Sequence, residues 1–159
     1  MTRAKGVALS LFSESTALTA FASFYDWERR TTFALRSFKA LAAMGFTEVF
    51  GKLDKVRLKD EDLSSPSGMS LCRYWSRADF INDRGRLEVL LSASVSDALP
   101  KVFLSFYIVD LDRGLALHAY DDRGMDVCGP SKAELSPIYR EFKEWLLNHD
   151  RPAMDKMFS

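Results

Sequence analysis

Apolar and polar positions alternate most sharply between Lys101 and Gly129, and this stretch predicts three short strands joined by two tight turns. Val102, Leu104, Phe106 and Ile108 form one uniformly apolar face, while Phe103, Ser105, Tyr107 and Val109 form a mixed one. After the turn Asp112-Arg113-Gly114, Leu115, Leu117 and Ala119 alternate with Ala116, His118 and Tyr120. A second turn, Asp121-Asp122-Arg123-Gly124, leads into Met125 to Cys128. Glycine at both corners suits a positive φ, and the pattern reads as an antiparallel meander.

The other segments are less uniform. Residues 1–25 mix strand spacing (Val7, Leu9, Leu11) with helical spacing (Leu18, Phe21, Phe24), and neither prevails. Asp26 to Met44 carries Phe33, Ala34, Phe38, Leu41 and Ala42 on one stripe and Arg29, Arg36 and Lys39 outside it, which predicts an amphipathic helix ended by Gly45. Phe46 to Phe50 extends it by a further turn, and Lys55 to Lys59 predicts a short strand. A surface loop of Asp60-Glu61-Asp62 and Ser64-Ser65-Pro66-Ser67-Gly68 follows. Met69 to Trp75 predicts a strand with Leu71, Arg73 and Trp75 on one face and Cys72 and Tyr74 on the other, and Asn82-Asp83-Arg84-Gly85 closes it as a turn. Over Arg86 to Leu99, alternation of Leu87, Val89, Leu91, Ala93 and Val95 favours a strand by a small margin, although Leu87, Leu90, Leu91 and Ser94 suit a helix. Ser131 and Glu134 have capping-box spacing before a helix whose apolar face is Leu135, Ile138, Tyr139, Phe142, Trp145 and Leu146. Pro137 either separates its first turn or bends it, and Met154, Met157 and Phe158 fold back on the body.

A chain of 159 residues with 47% hydrophobic positions, twelve of them phenylalanine, fills one core and reads as a single domain over residues 1–159. Lysine plus arginine and aspartate plus glutamate number 22 each, so no net field draws the chain to nucleic acid or an anionic membrane. Cys72 and Cys128 are too few and too far apart for a disulfide framework or zinc site, and read as reduced, buried thiols. Arg3, Lys5 and the apolar run Val7 to Phe12 resemble a signal peptide, but Ser13-Glu14-Ser15 interrupts the run and no cleavage site follows. No segment reaches the roughly 20 apolar residues that span a bilayer. The expectation is a cytoplasmic protein.

Candidate chemistry is thin. Asp-Arg-Gly recurs at Asp83 to Gly85, Asp112 to Gly114 and Asp122 to Gly124, and turn formation alone accounts for the aspartate and the glycine. An enzymatic reading joins His118 to Asp121, Asp122 and Asp110 or Asp112, as general base and carboxylate ligands of a divalent metal in a hydrolase. Gly-x-Ser-x-Gly, phosphate-loop, dinucleotide-binding and His-Glu-x-x-His patterns are all lacking. Phe21, Phe24, Tyr25 and Trp27 with Arg29 and Arg30 offer stacking and phosphate contacts for single-stranded nucleic acid, which the balanced charge disfavours. His149 at a helix end suits the dipole and nothing more. Asp60, Glu61, Asp62, Asp110, Asp112, Asp121 and Asp122 would make acidic protrusions able to meet a basic partner if their loops point the same way.

The run YDDRGMDV at Tyr120 to Val127, the capped helix after it, Ile138-Tyr139, Glu144 to Arg151 and Met154 to Phe158 resemble the bacterial domain-of-unknown-function family 3885. The likeness runs from Leu71 to Ser159, with Cys72-Arg73-Tyr74 matching and His149 standing where the family has tyrosine. The resemblance implies an α+β fold and makes Arg86 to Leu99 helical. Families of this small, uncharacterised bacterial kind often include immunity proteins, which bind and block a toxin delivered by a competing cell.

The expectation is therefore one α+β domain, an antiparallel sheet with a central meander covered on one face by helices from both ends of the chain. Its expected role is non-catalytic, without cofactor or metal: an immunity protein that occludes the active site of a cognate toxin, such as a basic nuclease, through the acidic loops. A metal-dependent hydrolase using His118 and the turn aspartates is the alternative.

Overall fold

The structure is a computed structural model and describes residues 2–27, 32–58, 70–95, 102, 104–121, 124–148 and 151–158. In chain order the elements are α1 (Thr2–Leu11), β1 (Ala17–Trp27), α2 (Thr32–Ala43), β2 (Asp54–Arg57), β3 (Leu71–Ile81) and α3 (Arg84–Val95). Then come β4 (Ser105–Asp110), β5 (Leu115–Ala119), β6 (Met125–Cys128), α4 (Lys132–Glu141), a 3₁₀ turn (Lys143–Trp145) and α5 (Arg151–Phe158). The six strands form one antiparallel sheet in the order β2-β3-β1-β4-β5-β6. This is a single α+β domain, with the meander of β4, β5 and β6 as expected and helices from both chain ends in one layer.

Strand alternation decides which face the helices cover. Leu18, Ala20, Ala22 and Phe24 of β1 lie beside Phe80, Ala78, Ser76 and Tyr74 of β3, and all are buried. Phe106 and Ile108 of β4 and Leu115, Leu117 and Ala119 of β5 continue that face. Alanine and serine at its centre let α1 and α3 come close. Ala4, Val7, Ala8 and Leu11 of α1, at helical spacing, are buried, as are Leu87, Leu90 and Leu91 of α3. The mixed spacing of residues 1–25 thus resolves into a helix followed by a strand. As far as Val95, α3 corrects the strand-like alternation and agrees with the helix that the family likeness implies, and residues 96–99 lie outside the described residues.

The second expected helix starts later than Asp26, because Asp26 and Trp27 still belong to β1. Gly45, at φ 108°, closes α2: its amide donates to Ala42 and that of Phe46 to Leu41, the pairing that satisfies orphan carbonyls at a helix end. Phe46 to Phe50 adds no turn of helix. An extended path lets Phe46 meet Phe80 edge-on (5.4 Å between centroids) while Phe50 stacks on Phe38 (4.6 Å). The short strand predicted at Lys55 to Lys59 is β2, Asp54–Arg57, and Lys59 lies outside the described residues.

The three Asp-Arg-Gly sequences do different work. Asp83 is not in a hairpin but caps α3, its carboxylate accepting the Arg86 amide (3.0 Å) and pairing with the Arg86 guanidinium. In the β4–β5 hairpin the organising acid is Asp110 rather than Asp112: it accepts the Arg113 amide (2.9 Å) and the Ser15 hydroxyl, while Gly114 takes φ 68°. Burial would raise the Asp110 carboxyl, but the Ser15 hydroxyl and the amides of Arg113 and Asp112 together hold it below its ordinary value. In the third, Asp121 accepts the Gly124 amide (2.8 Å), and Gly124 is required for space rather than positive φ, because a Cβ there would lie 2.6 Å from the Tyr120 ring. Only Gly114 meets the expectation of positive φ at both meander corners.

Cys72 is buried and Cys128 exposed, both as free thiols, so burial holds for one of the two. In α4 Ser131 caps as expected, accepting the Glu134 amide (3.3 Å), and Pro137 lies inside a single helix of ten residues. Phe158 of α5 stacks on Tyr139 (4.5 Å), which brings the C-terminal apolar residues back onto α4. No described helix is long and apolar enough to cross a membrane.

Urea unfolding separates the roles of the aspartates. Asp110→Ala is expected to cost about 2 kcal/mol, because it strands buried donors, and Asp83→Ala about 1 kcal/mol through the lost cap. Asp112→Ala, at an exposed turn position, should stay within about 0.5 kcal/mol. An Asp112 cost equal to that of Asp110 would contradict this assignment.

Candidate functional site

On the sheet's opposite face, where among the described residues no helix lies, the same alternation gathers a different set of side chains. Phe21, Ser23 and Tyr25 of β1 stand beside Arg77, Trp75 and Arg73 of β3. Phe21 and Ser23 pair on their other side with Tyr107 and Ser105 of β4. Tyr107 in turn faces His118 of β5, and His118 faces Asp126 of β6. A cluster of aromatic rings and one arginine therefore runs across four adjacent strands.

Arg73 is its hub. Its guanidinium lies 4.2 Å from the Trp75 ring centroid and 5.2 Å from that of Tyr25. It reaches across β1, donating to Tyr107 Oη (2.7 Å) and Ser23 Oγ (3.2 Å). The small serine permits this crossing, and the arginine passing over it leaves Ser23 only 2% exposed. A guanidinium against two rings is worth about 1 kcal/mol or more and is pre-organised for planar contacts. Arg73 Nε is nevertheless buried without a hydrogen-bond partner.

Tyr107 carries the cluster onward. Its ring lies 5.4 Å from Trp75 and stacks on His118 at 4.0 Å, and Tyr120 sits 5.6 Å beyond His118. Nε2 of His118 is buried and unpartnered. Burial first of all pushes the imidazole below its ordinary pKa of 6.5; the upward pull of Asp126 comes next and the repulsion from Arg73 is the smallest influence. His118 is thus a neutral, stacked ring at pH 7.

Among the described residues, this geometry does not gather the residues of the hydrolase reading into a metal-binding group. His118 and Asp110 belong to opposite faces, since Asp110 pairs with buried Leu115 and His118 with Tyr107. Asp112 sits in the hairpin at the far end of β5, and Asp121 is committed to the Gly124 amide. Among the described residues, no three of His, Cys, Asp and Glu are grouped so as to hold a metal ion. Of the acidic set, Asp110 is 3% exposed and bonded inside the fold, which removes it from any protruding surface. Asp112 is exposed and Asp121 half-buried, while Asp60, Glu61, Asp62 and Asp122 lie outside the described residues, as does His149.

Sequence reasoning put Arg73 and Trp75 on one strand face and Tyr107 and His118 on mixed faces without joining them. The missing piece was β1, whose unsettled character hid that it is the strand between β3 and β4. Among the aromatics considered for nucleic acid, Phe24 turns out to point into the core, stacked on Tyr74 at 5.1 Å, while Tyr25 points outward and is 55% exposed.

The depressed His118 pKa fixes the sign of a pH effect. Between its folded value and 6.5 the unfolded chain binds the proton and the folded one does not, so stability falls as pH drops through that window and is unaffected by His118 above it. Thermal melts from pH 8 to pH 5 should show a loss on acidification that is smaller in His118→Phe; parallel curves would refute the burial argument. Turning to known proteins, no curated protein and no solved structure matches the chain. A model of the family described as Domain of unknown function (DUF3885) matches residues 1–150, the first half included, and the chain belongs to that family.

Proposed function

We propose that the chain is a non-catalytic binding protein of the immunity type, which acts in the cytoplasm and blocks a bacterial toxin enzyme by covering its active site. The contact runs through the helix-free sheet face rather than through the acidic loops alone. The observation that carries this reading is the cluster of Trp75, Tyr107 and Tyr25 around Arg73. Tryptophan, tyrosine and arginine are the residues that dominate binding energy at protein interfaces, because they bury large area at small entropic cost. Bonds from Arg73 to Tyr107 and Ser23 hold the group in place before a partner arrives, which lowers the cost of association.

A protein partner suits the face better than nucleic acid does. Asp54 on β2, Asp79 on β3 and Asp126 on β6 share the face with the arginines, and Arg77 is already paired with Asp79 (3.4 Å). Carboxylates at those positions repel a phosphate backbone, whereas mixed charge around an aromatic centre supports selective protein contacts.

The test is co-expression with the product of the adjacent reading frame, followed by growth protection and affinity measurement. Trp75→Ala and Tyr25→Ala should each weaken the complex about 30-fold or more, of order 2 kcal/mol, and reduce protection while leaving the fold cooperative. Unaltered affinity in both variants, or affinity lost only on neutralising Asp60, Glu61 and Asp62, would move the contact elsewhere. A toxin-free genomic setting together with no captured partner would end the immunity reading.

A further inference from the structure

A groove of about 310 Å³ opens at the β6 edge of the sheet, between α1, β6, α4 and α5. It exists because the C-terminal helices sit shallowly on the body, Leu135, Ile138 and Phe142 packing against the core while only partly buried. Leu135 of α4 packs over Gly129, where a Cβ would lie 2.8 Å away, and the Trp145 ring lies over Gly6 of α1, 3.4 Å from where a Cβ would be. Between these anchors neither α4 nor α5 has a fully buried residue, despite the apolar face that α4 presents. Val7, Val127, Ile138 and Phe142 line the interior, and Met125, Met154 and Met157 line it with flexible thioethers. Met157 is 60% exposed and Leu147 49%.

Among the described residues the groove is lined by one cation, Arg3, and one carboxylate, Asp126. Met125 and Val127 share a face with Ala119 and Leu117, so the Asp126 side chain between them points to the opposite face, beside His118. Tyr139 donates to Asp155, which Lys143 also pairs at 3.5 Å, so these groups satisfy one another. Arg3, in the first turn of α1, lines the groove, is exposed and takes no ion-pair partner among the described residues. An apolar recess of small-molecule size whose one described cation takes no ion-pair partner, and whose one described carboxylate turns to the other face, is complementary to an apolar anion. Methionine linings adapt to varied alkyl and aryl shapes.

We propose that this groove binds a small apolar monocarboxylate, with its alkyl or aryl body among Met125, Met154 and Met157 and its carboxylate on Arg3. Arg3 and the three methionines lie outside the Arg73 cluster and no toxin partner enters this proposal, so it stands or falls separately. Titration of the ¹³C-methyl-methionine protein with decanoate, below its micellar concentration, and with decanol tests it. Saturable shifts are expected at Met125, Met154 and Met157 while Met44, on the far side of the core, stays still. Decanoate should bind about fivefold tighter than decanol, the scale of an exposed ion pair, and Arg3→Gln should erase that preference while leaving decanol binding unchanged. Equal affinity of the two ligands, shifts that include Met44, or no saturable shift at the three methionines would each overturn it.

Discussion

The structure depends on the register of β1 between β3 and β4. Eleven residues of β1 pair with eleven of β3, from Ala17 with Ile81 to Trp27 with Leu71, and five of the same strand pair with β4. Because side chains alternate with period two, one slip of that register would send Ala20, Ala22 and Phe24 to the outer face and Phe21, Ser23 and Tyr25 into the helices. The helices could not then approach, since the small residues at the sheet centre are what makes room for them. The core and the outer cluster are thus two outcomes of one constraint.

That constraint explains why the chain has two unlike surfaces without any excess of charge. Sheet residues facing the helices combine small ones, Ala20, Ala22, Ser76 and Ala78, with the buried rings of Phe24, Tyr74, Phe80 and Phe106, and Phe12, Phe46 and Phe50 add aromatic volume from outside the strands. Large polar aromatics collect on the outer side, where their hydroxyl, indole and imidazole groups can meet water or a partner. Arg73 is tolerated there because Tyr107, Ser23 and the neighbouring rings offset much of its desolvation. Arg73 Nε and His118 Nε2 are buried without a protein partner, which adds a desolvation cost to the cluster. An apolar set of the same volume would avoid that cost. At the Tyr120 to Gly124 corner the conspicuous residues close a turn: Asp121 holds an amide and Gly124 makes room for the Tyr120 ring. The corner meets the outer cluster through that ring, beside His118.

Much of this was legible in the residues. The meander, the capped helix after Ser131 and the return of Met154 to Phe158 follow from alternation, capping chemistry and helical spacing, all of which are local. Three things were not. Residues 87 to 95 alternate as a strand would, and only the burial of Leu87, Leu90 and Leu91 against α1 and the sheet, with Asp83 as cap, settles them as helix. Phe46 and Phe50 are extended because their partners, Phe80, Phe106 and Phe38, lie elsewhere in the chain. Asp110 looks like any turn acid until Ser15, 95 residues away, is seen to bond it. The candidate site was hidden for the same reason, since Arg73, Tyr107 and His118 become neighbours only through pairings that no local pattern encodes.

The central claim is that the sheet is one-sided, with helices on one face and an accessible aromatic–arginine surface on the other. Solvent paramagnetic relaxation by a neutral gadolinium chelate reads this directly from side-chain protons. The account predicts strong enhancement at Tyr25 and clear enhancement at Trp75 and Tyr107, with almost none at Phe24 and Phe106, which belong to the same strands but the opposite face. Equal protection of the two sets would contradict it.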